Sequence, residues 1–204
     1  GWARWPASVV VADDLARTWQ VTPPPGTARM ADLEAAAALR FQQLYGEPAA
    51  GWQLAGSWDP SHAFTAAALP RDLHGALTGA AAEHRLALVE INPQFIAGWN
   101  RWGHVLSHDS WFGLVHDGVL TFGIPAGAGL GAMRAAQVPP GADAQWLQAH
   151  TGREALRLGV AAPGRLQLSG QVPGAWHGGE VTVLAETPAE WSAGAALATT
   201  GSRA

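Results

Sequence analysis

WFGLVHDGVLTFG, residues 111–123, sets two apolar runs on either side of Asp117-Gly118. Asp-Gly is among the strongest sequence signals for a two-residue hairpin turn, because both central positions need positive φ. The pairing this predicts puts His116 against Val119, Val115 against Leu120 and Leu114 against Thr121. Side chains alternate along a strand, so Trp111, Val115, Leu120 and Phe122 share one face, and Phe112, Leu114 and Val119 the other. A hairpin that is apolar on both faces belongs inside a sheet covered from both sides. Two strands around a tight turn are also the form of a phosphate-gripping hairpin, so the same stretch reads as a structural turn or as a ligand site.

Downstream of the hairpin, a third strand is predicted over residues 132–138 and a helix over 142–158, where Trp146, Leu147, His150, Ala155 and Leu158 mark one face. Strands are predicted at 165–168 and 180–184, and from Glu186 onward the Gly- and Ala-rich sequence reads as a frayed tail. Upstream, residues 8–13 and 16–21 read as two strands joined by a tight turn at Asp13-Asp14. A helix follows, with Met30, Leu33, Ala37, Phe41 and Leu44 at helical spacing and Gly46 as its stop. Residues 52–58 and 63–69 form a second hairpin, and Pro70 stands where a first-turn proline is tolerated ahead of a Leu73, Leu77, Ala81 stripe. A strand over 85–91 and a helix after Asn92-Pro93, carrying Phe95, Ile96, Trp99, Trp102 and Leu106, complete a β-β-α-β-β-α-β order closed by a helix. The polar break at 107–110 marks the boundary between the halves.

Composition narrows the chemistry. Hydrophobic residues are 48% of the 204 and charged residues 14%, enough for a substantial buried core. A net charge of -4 with no basic cluster leaves no electrostatic footprint for nucleic acid. Cysteine is absent, which excludes disulfides, thiolate metal ligands and a thiol nucleophile. Every basic residue is arginine, so a P-loop lysine, a Schiff-base lysine and a Ser-Lys dyad are excluded as well. No apolar run is long enough to span a bilayer.

Several segments fall in the order of one family. "LRFQQLYGEPAAGWQLAGSWD", "FTAAALPRDL" and "RLALVEINPQFIAGWNRW" fit its inserted subdomain and exit helix; "WFGLVHDGVLTFG" falls at its second phosphate hairpin and "RLQLSGQVPG" at its Leu-Ser-Gly-Gly adenosine turn. The chain resembles the actin-like proteins of bacterial pilus and secretion machines: the type IV pilus protein PilM, its MSHA pilus counterpart and the cytoplasmic part of the secretion protein GspL. The resemblance implies an α/β fold with mixed sheets, actin-like (ribonuclease H-like), with an inserted β-β-α-β-β-α subdomain. Residues 1–106 would be the inserted subdomain and connecting helix of the first half, 107–185 the second half, and 186–204 a flexible tail.

Departures from the family pattern bear on function. Nucleotide-binding members carry an aspartate before the hairpin turn, whereas Phe112-Gly113-Leu114 offers no carboxylate for magnesium and Asp117 lies in the turn itself. The second glycine of the adenosine turn is Gln171, whose Cβ would crowd a backbone meant to approach a base. The family's first phosphate hairpin would lie upstream of Gly1. Asp117, Gly118, Ser169 and Gly170 are accordingly expected to be remnants of a nucleotide site, with no catalytic residue, cofactor or metal. The GspL branch is itself without nucleotide binding. The resemblance implies a non-catalytic scaffold of a type IV pilus or type II secretion system, cytoplasmic and peripheral at the inner membrane. Its partner would be a membrane-anchored assembly protein or an assembly ATPase. An actin-like ATPase whose phosphate loop lies upstream is the first alternative.

The second alternative is a small metal-dependent hydrolase. His104, His108 and His116 lie near Asp109 and Asp117, and imidazole with carboxylate is a ligand set for zinc or iron. No glutamate accompanies the His104/His108 pair as a metalloprotease motif requires, and capping or solvated histidines are the ordinary reading. Gly127-Ala128-Gly129-Leu130-Gly131 resembles a phosphate loop, but Pro139-Pro140 interrupts the long helix that a dinucleotide fold needs directly afterward. Ser61-His62, and Ser169 with His177, lack the Gly-x-Ser-x-Gly elbow. Asp13-Asp14 reads as a solvated turn. Trp52 with Trp58, and Trp99 with Trp102, read as core.

Overall fold

The computed structural model describes residues 5–27, 29–127, 129–188 and 190–200. Contacts divide the chain into two compact units, Gly1–Gln94 and Phe95–Ala204.

Unit 1 contains β1 (Trp5–Val11), β2 (Arg17–Val21), α1 (Met30–Tyr45), β3 (Trp52–Gly56), β4 (Phe64–Pro70), α2 (Arg71–Glu83) and β5 (Leu86–Pro93). β2, β4 and β3 form an antiparallel sheet in that spatial order, and β1 pairs in parallel with β5. The predicted hairpin of the first two strands is therefore corrected: β1 and β2 belong to different sheets. Asp13-Asp14 offers no glycine for a two-residue turn, and Asp13–Leu15 instead makes one 3-10 turn that redirects the chain. The second hairpin forms as its pattern predicts, with Leu54 opposite Ala68. Pro70 ends β4 and caps α2 from outside rather than sitting in its first turn.

α1 buries Leu33, Ala37 and Phe41, spaced at four, against Trp19, Val21, Phe64, Ala66 and Ala68 of the sheet. Phe41 lies 5.3 Å from both the Trp19 and Trp52 rings, and Gly46 ends the helix at φ 70°. Trp52 and Trp58 pack on this cluster, as core tryptophans.

Unit 2 contains β6 (Ser110–His116), β7 (Val119–Ala126), β8 (Gly129–Gln137), α4 (Ala144–Leu158), β9 (Arg165–Gly170), β10 (Val181–Glu186) and α5 (Ala193–Thr200), and it takes up α3 (Gln94–Trp102) from Phe95 onward. Its sheet has the order β10-β9-β6-β7-β8, an antiparallel β6-β7-β8 meander followed by β9 and β10, both parallel to their neighbours. This is the ribonuclease H-like strand order. The hairpin register is the one read from the sequence: His116 faces Val119, Val115 faces Leu120 and Leu114 faces Thr121. Trp111, Val115, Leu120 and Phe122 enter one core with Leu147, Ala155 and Trp176, while Phe112 and Leu114 enter another with Phe95. Both faces are covered because the strands are apolar on both.

Three boundaries differ from the sequence reading. β8 begins at Gly129, within the glycine-rich run, because Gly129 and Leu130 continue the ladder opposite Ala126 and Pro125. The contact division falls after Gln94 rather than at residue 107, since Phe95 at the head of α3 packs 5.6 Å from Phe112. α5 lies where composition gave no element; Ala196 is buried and the Thr199 carbonyl accepts from Arg101 Nη1 at 2.8 Å.

Candidate functional site

The parallel pairing of β6 with β9 sets Leu114 beside Ser169 and Val115 beside Gly170. It thereby brings the Asp117-Gly118 turn to the Ser169-Gly170-Gln171 turn, the two segments that the sequence marked as nucleotide-site remnants. Asp117 (φ 48°) and Gly118 (φ 70°) both lie in the left-handed region, as the tight turn requires. Gly170 lies at φ 98°, and a Cβ there would collide with the Val115 carbonyl oxygen.

Gln171 completes the arrangement. Its backbone N–H donates to the Val115 oxygen at 2.8 Å, and its side-chain Oε1 accepts from the Asp117 N–H at 2.9 Å. A backbone donor at the tip of the hairpin, the kind of group that grips a phosphate, is thus engaged by the chain's own amide. Ser169 is buried, while Asp117 is exposed on the turn. Val138 N–H closes the other side of the turn on the Gly118 oxygen at 2.7 Å.

The histidine–aspartate cluster does not assemble. His108 and Asp109 stand before the first residue of β6, whereas His116 and Asp117 stand at its far end, a separation of roughly 20 Å at 3.3 Å per residue. Asp109 accepts from the Gly164 N–H instead. Among the described residues no group of three His, Asp or Glu side chains is placed to hold a metal. His62 Nδ1 lies 3.1 Å from Asp59 Oδ2 at an exposed turn, and His177 lies 3.9 Å from Glu186 rather than on Ser169.

The residues that the sequence did not single out lie in unit 1. A cleft of about 330 Å³ is lined by Ala16, Leu54 and Leu69 and by the polar Gln53, His74 and Glu90. Five elements (β1, β3, β4, α2 and β5) supply its walls, which is why no local motif announces it. Glu90 accepts from Ser8 Oγ at 2.8 Å through Oε1 and from Asn92 Nδ2 at 2.9 Å through Oε2, so its carboxylate is held in one place.

Unit 2 also holds a buried ring column. His150 stacks 5.0 Å from Trp146 and 5.7 Å from Phe122, and Trp146 stacks 5.7 Å from Trp176. Among the described residues, His150 Nε2 is buried with no hydrogen-bond partner. Burial pushes the imidazole below its ordinary 6.5, partly offset by Glu154, with Arg153 and Arg157 pushing it further down. A histidine with a lowered folded pKa binds its proton more readily when unfolded, so its contribution is complete above about pH 6.5 and is lost as pH falls. The midpoint of unit 2 unfolding is therefore expected to drop between pH 7 and pH 5, with a slope of at most about 1.4 kcal/mol per pH unit from this proton. His150→Phe should flatten the urea-midpoint profile over that range; an unchanged slope would assign the acid sensitivity elsewhere.

No protein-family model and no curated protein matches the chain in sequence. Solved structures match in fold. The cytoplasmic domain of EpsL, an inner-membrane component of the type II secretion system of Vibrio cholerae, aligns with 95% of this chain and 73% of its own at TM-score 0.56 and 13% identity. The PilM–PilN type IV pilus biogenesis complex aligns over 82% of this chain and 62% of its own, at TM-score 0.56 and 13% identity. A Bacteroides thetaiotaomicron protein described as having an actin-like ATPase fold and unknown function aligns over 83% and 61%, at TM-score 0.53 and 9% identity. This chain thus spans about six-tenths of the length of the last two. The strand order of unit 2 and these three alignments agree: the chain has the actin-like fold.

Proposed function

We propose that this chain is a non-catalytic, actin-like assembly component of a type IV pilus or type II secretion system that works by protein–protein interaction. The observation that carries this reading is the closure of the Asp117 N–H on Gln171 Oε1, at the turn where a nucleotide-binding relative would present that donor. Phe112-Gly113-Leu114 adds no carboxylate on the preceding strand. The likeness to EpsL and to the PilM–PilN complex favours a role in assembly, at the cytoplasmic face of an inner membrane. Among the described residues no helix is long and apolar enough to cross a membrane. The first partner in this reading is a membrane-anchored assembly protein. An assembly ATPase is the second partner we consider. The cleft of unit 1 is the docking surface in this reading.

Calorimetric titration with Mg-ATP tests the non-catalytic part. No saturable heat is expected up to millimolar nucleotide. Micromolar binding would overturn the reading in favour of an actin-like ATPase.

A further inference from the structure

The sheet of unit 2 ends in an open edge. β8 pairs with β7 on one side, and among the described residues its other edge carries no strand. The register shifts opposite Pro125, after which residues 132–137 run on without interruption, roughly 20 Å at 3.3 Å per residue. Among the described residues, no backbone hydrogen bond reaches this run from outside the ladder with β7. Edges are commonly guarded by proline, bulges or free charges. This run has no proline, and its one charged residue, Arg134, is tied to α4 through Glu154. Ala132, Ala135 and Ala136 are small, so a strand laid beside them has room for larger side chains.

Charge specifies what the edge would accept. Arg134 stands opposite Phe122, so with Ala132 and Ala136 it points to the α4 side of the sheet. There Glu154 faces two guanidinium groups: Arg134 Nε lies 3.8 Å from Oε2, and Arg157 Nη1 donates to Oε1. The Glu154 side chain is 6% exposed, whereas those of Arg134 and Arg157 are 48% and 67% exposed. One buried negative charge is thus shared by two exposed positive ones, and the α4 side of the edge keeps a net positive charge. A second copy of β8 fits such an edge badly. Residues paired across two strands point to the same face, so it would bring another Arg134 to the same side.

We infer that the free edge of β8 takes an extended, acidic segment of a partner protein, added as a strand, with an aspartate or glutamate of that segment seated on Arg134 and Arg157. This surface belongs to unit 2, and the inference holds whatever fills the cleft of unit 1. Main-chain pairing along residues 132–137 supplies affinity that is largely indifferent to sequence. Larger apolar side chains cover the alanines, and the acidic residue sets register and choice of partner.

The chain contains no cysteine, so Ala135→Cys provides a unique thiol on the edge. A random-peptide display library is panned against the whole chain, with counter-selection on Ala135→Cys blocked by a bulky maleimide, and the surviving peptides are re-measured as free peptides. Enrichment of one acidic position among apolar ones is expected. Arg134→Gln should weaken such a peptide about tenfold while leaving its acid-to-amide analogue unaffected, a coupling that a merely structural role of Arg134 would not produce. Arg157→Gln should show the same selectivity, so the outcome does not hang on the folding of one variant. N-methylation at alternate peptide residues facing β8 should abolish binding, and methylation of the other set should not. The inference is overturned by an absence of survivors after counter-selection, by enrichment of basic in place of acidic residues, by equal losses for both peptides with either arginine variant, or by indifference to N-methylation. Dimerisation of the unmodified chain that the maleimide abolishes would replace the foreign partner by a second copy and overturn it as well. None of these outcomes bears on the Mg-ATP titration, which tests the proposed function separately.

Discussion

Gly170→Ala is expected to destabilise unit 2 by about 3 kcal/mol or more, the sum of a left-handed backbone that an L side chain resists and a steric overlap that cannot relax cheaply. Gly170 sits at φ 98°, and the new Cβ would meet the Val115 carbonyl oxygen, a backbone atom locked in the β6–β9 ladder. Relief requires moving β9 away from β6. That motion breaks the Gln171 N–H to Val115 bond and with it the Asp117 N–H to Gln171 bond. Urea unfolding should show the loss, and hydrogen exchange at the Asp117 and Gln171 amides should accelerate. Gly174→Ala is the control, since a Cβ there meets nothing within 4 Å and its backbone has an ordinary φ. Its effect should stay within about 0.5 kcal/mol. If the two alanine variants behaved alike, the close approach of β9 to β6 would be wrong.

Trp176→Ala is expected to cost about 3–5 kcal/mol, the usual range for removing a fully buried large aromatic side chain. Trp176 is 1% exposed, packs in the core under the β6–β7 hairpin, stacks on Trp146 and donates from Nε1 to the Ala142 oxygen at 2.9 Å. Its loss leaves a cavity, an unsatisfied carbonyl and a shortened ring column. A fall in unfolding midpoint of roughly 10 °C or more should follow, read by far-UV circular dichroism. Trp176→Phe should recover much of the packing but not the hydrogen bond. A loss under about 1 kcal/mol for the alanine variant would mean that the column is not closed by Trp176. Because Gln171 lies five residues before Trp176, faster exchange at Asp117 is expected here too, linking the core to the sealed turn.

The hairpin at the centre of unit 2 was legible because everything that defines it is local. Asp117-Gly118 permits the turn, and a period of two then assigns each apolar residue of both strands to a face. α1 was legible for the same reason, with Leu33, Ala37 and Phe41 on one stripe and Gly46 after it. The first two strands misled because their pattern was equally local but their partners were not: Ser8 faces Glu90 and Trp19 faces Ala66. Two short apolar runs separated by acidic residues carry no mark of which sheet each will join.

By itself, then, the sequence determined most of the elements up to β10, the hairpin register and the absence of a carboxylate ahead of the turn, since propensity and periodicity act over a few neighbouring residues. The tertiary structure alone decided that Gln171 closes on Asp117 across 54 positions of chain, that the histidines and aspartates flanking β6 stay apart, and that Glu90 stands in a cleft. Strand pairing sets those distances, and pairing partners are chosen by the burial of whole faces, which no short window of sequence contains.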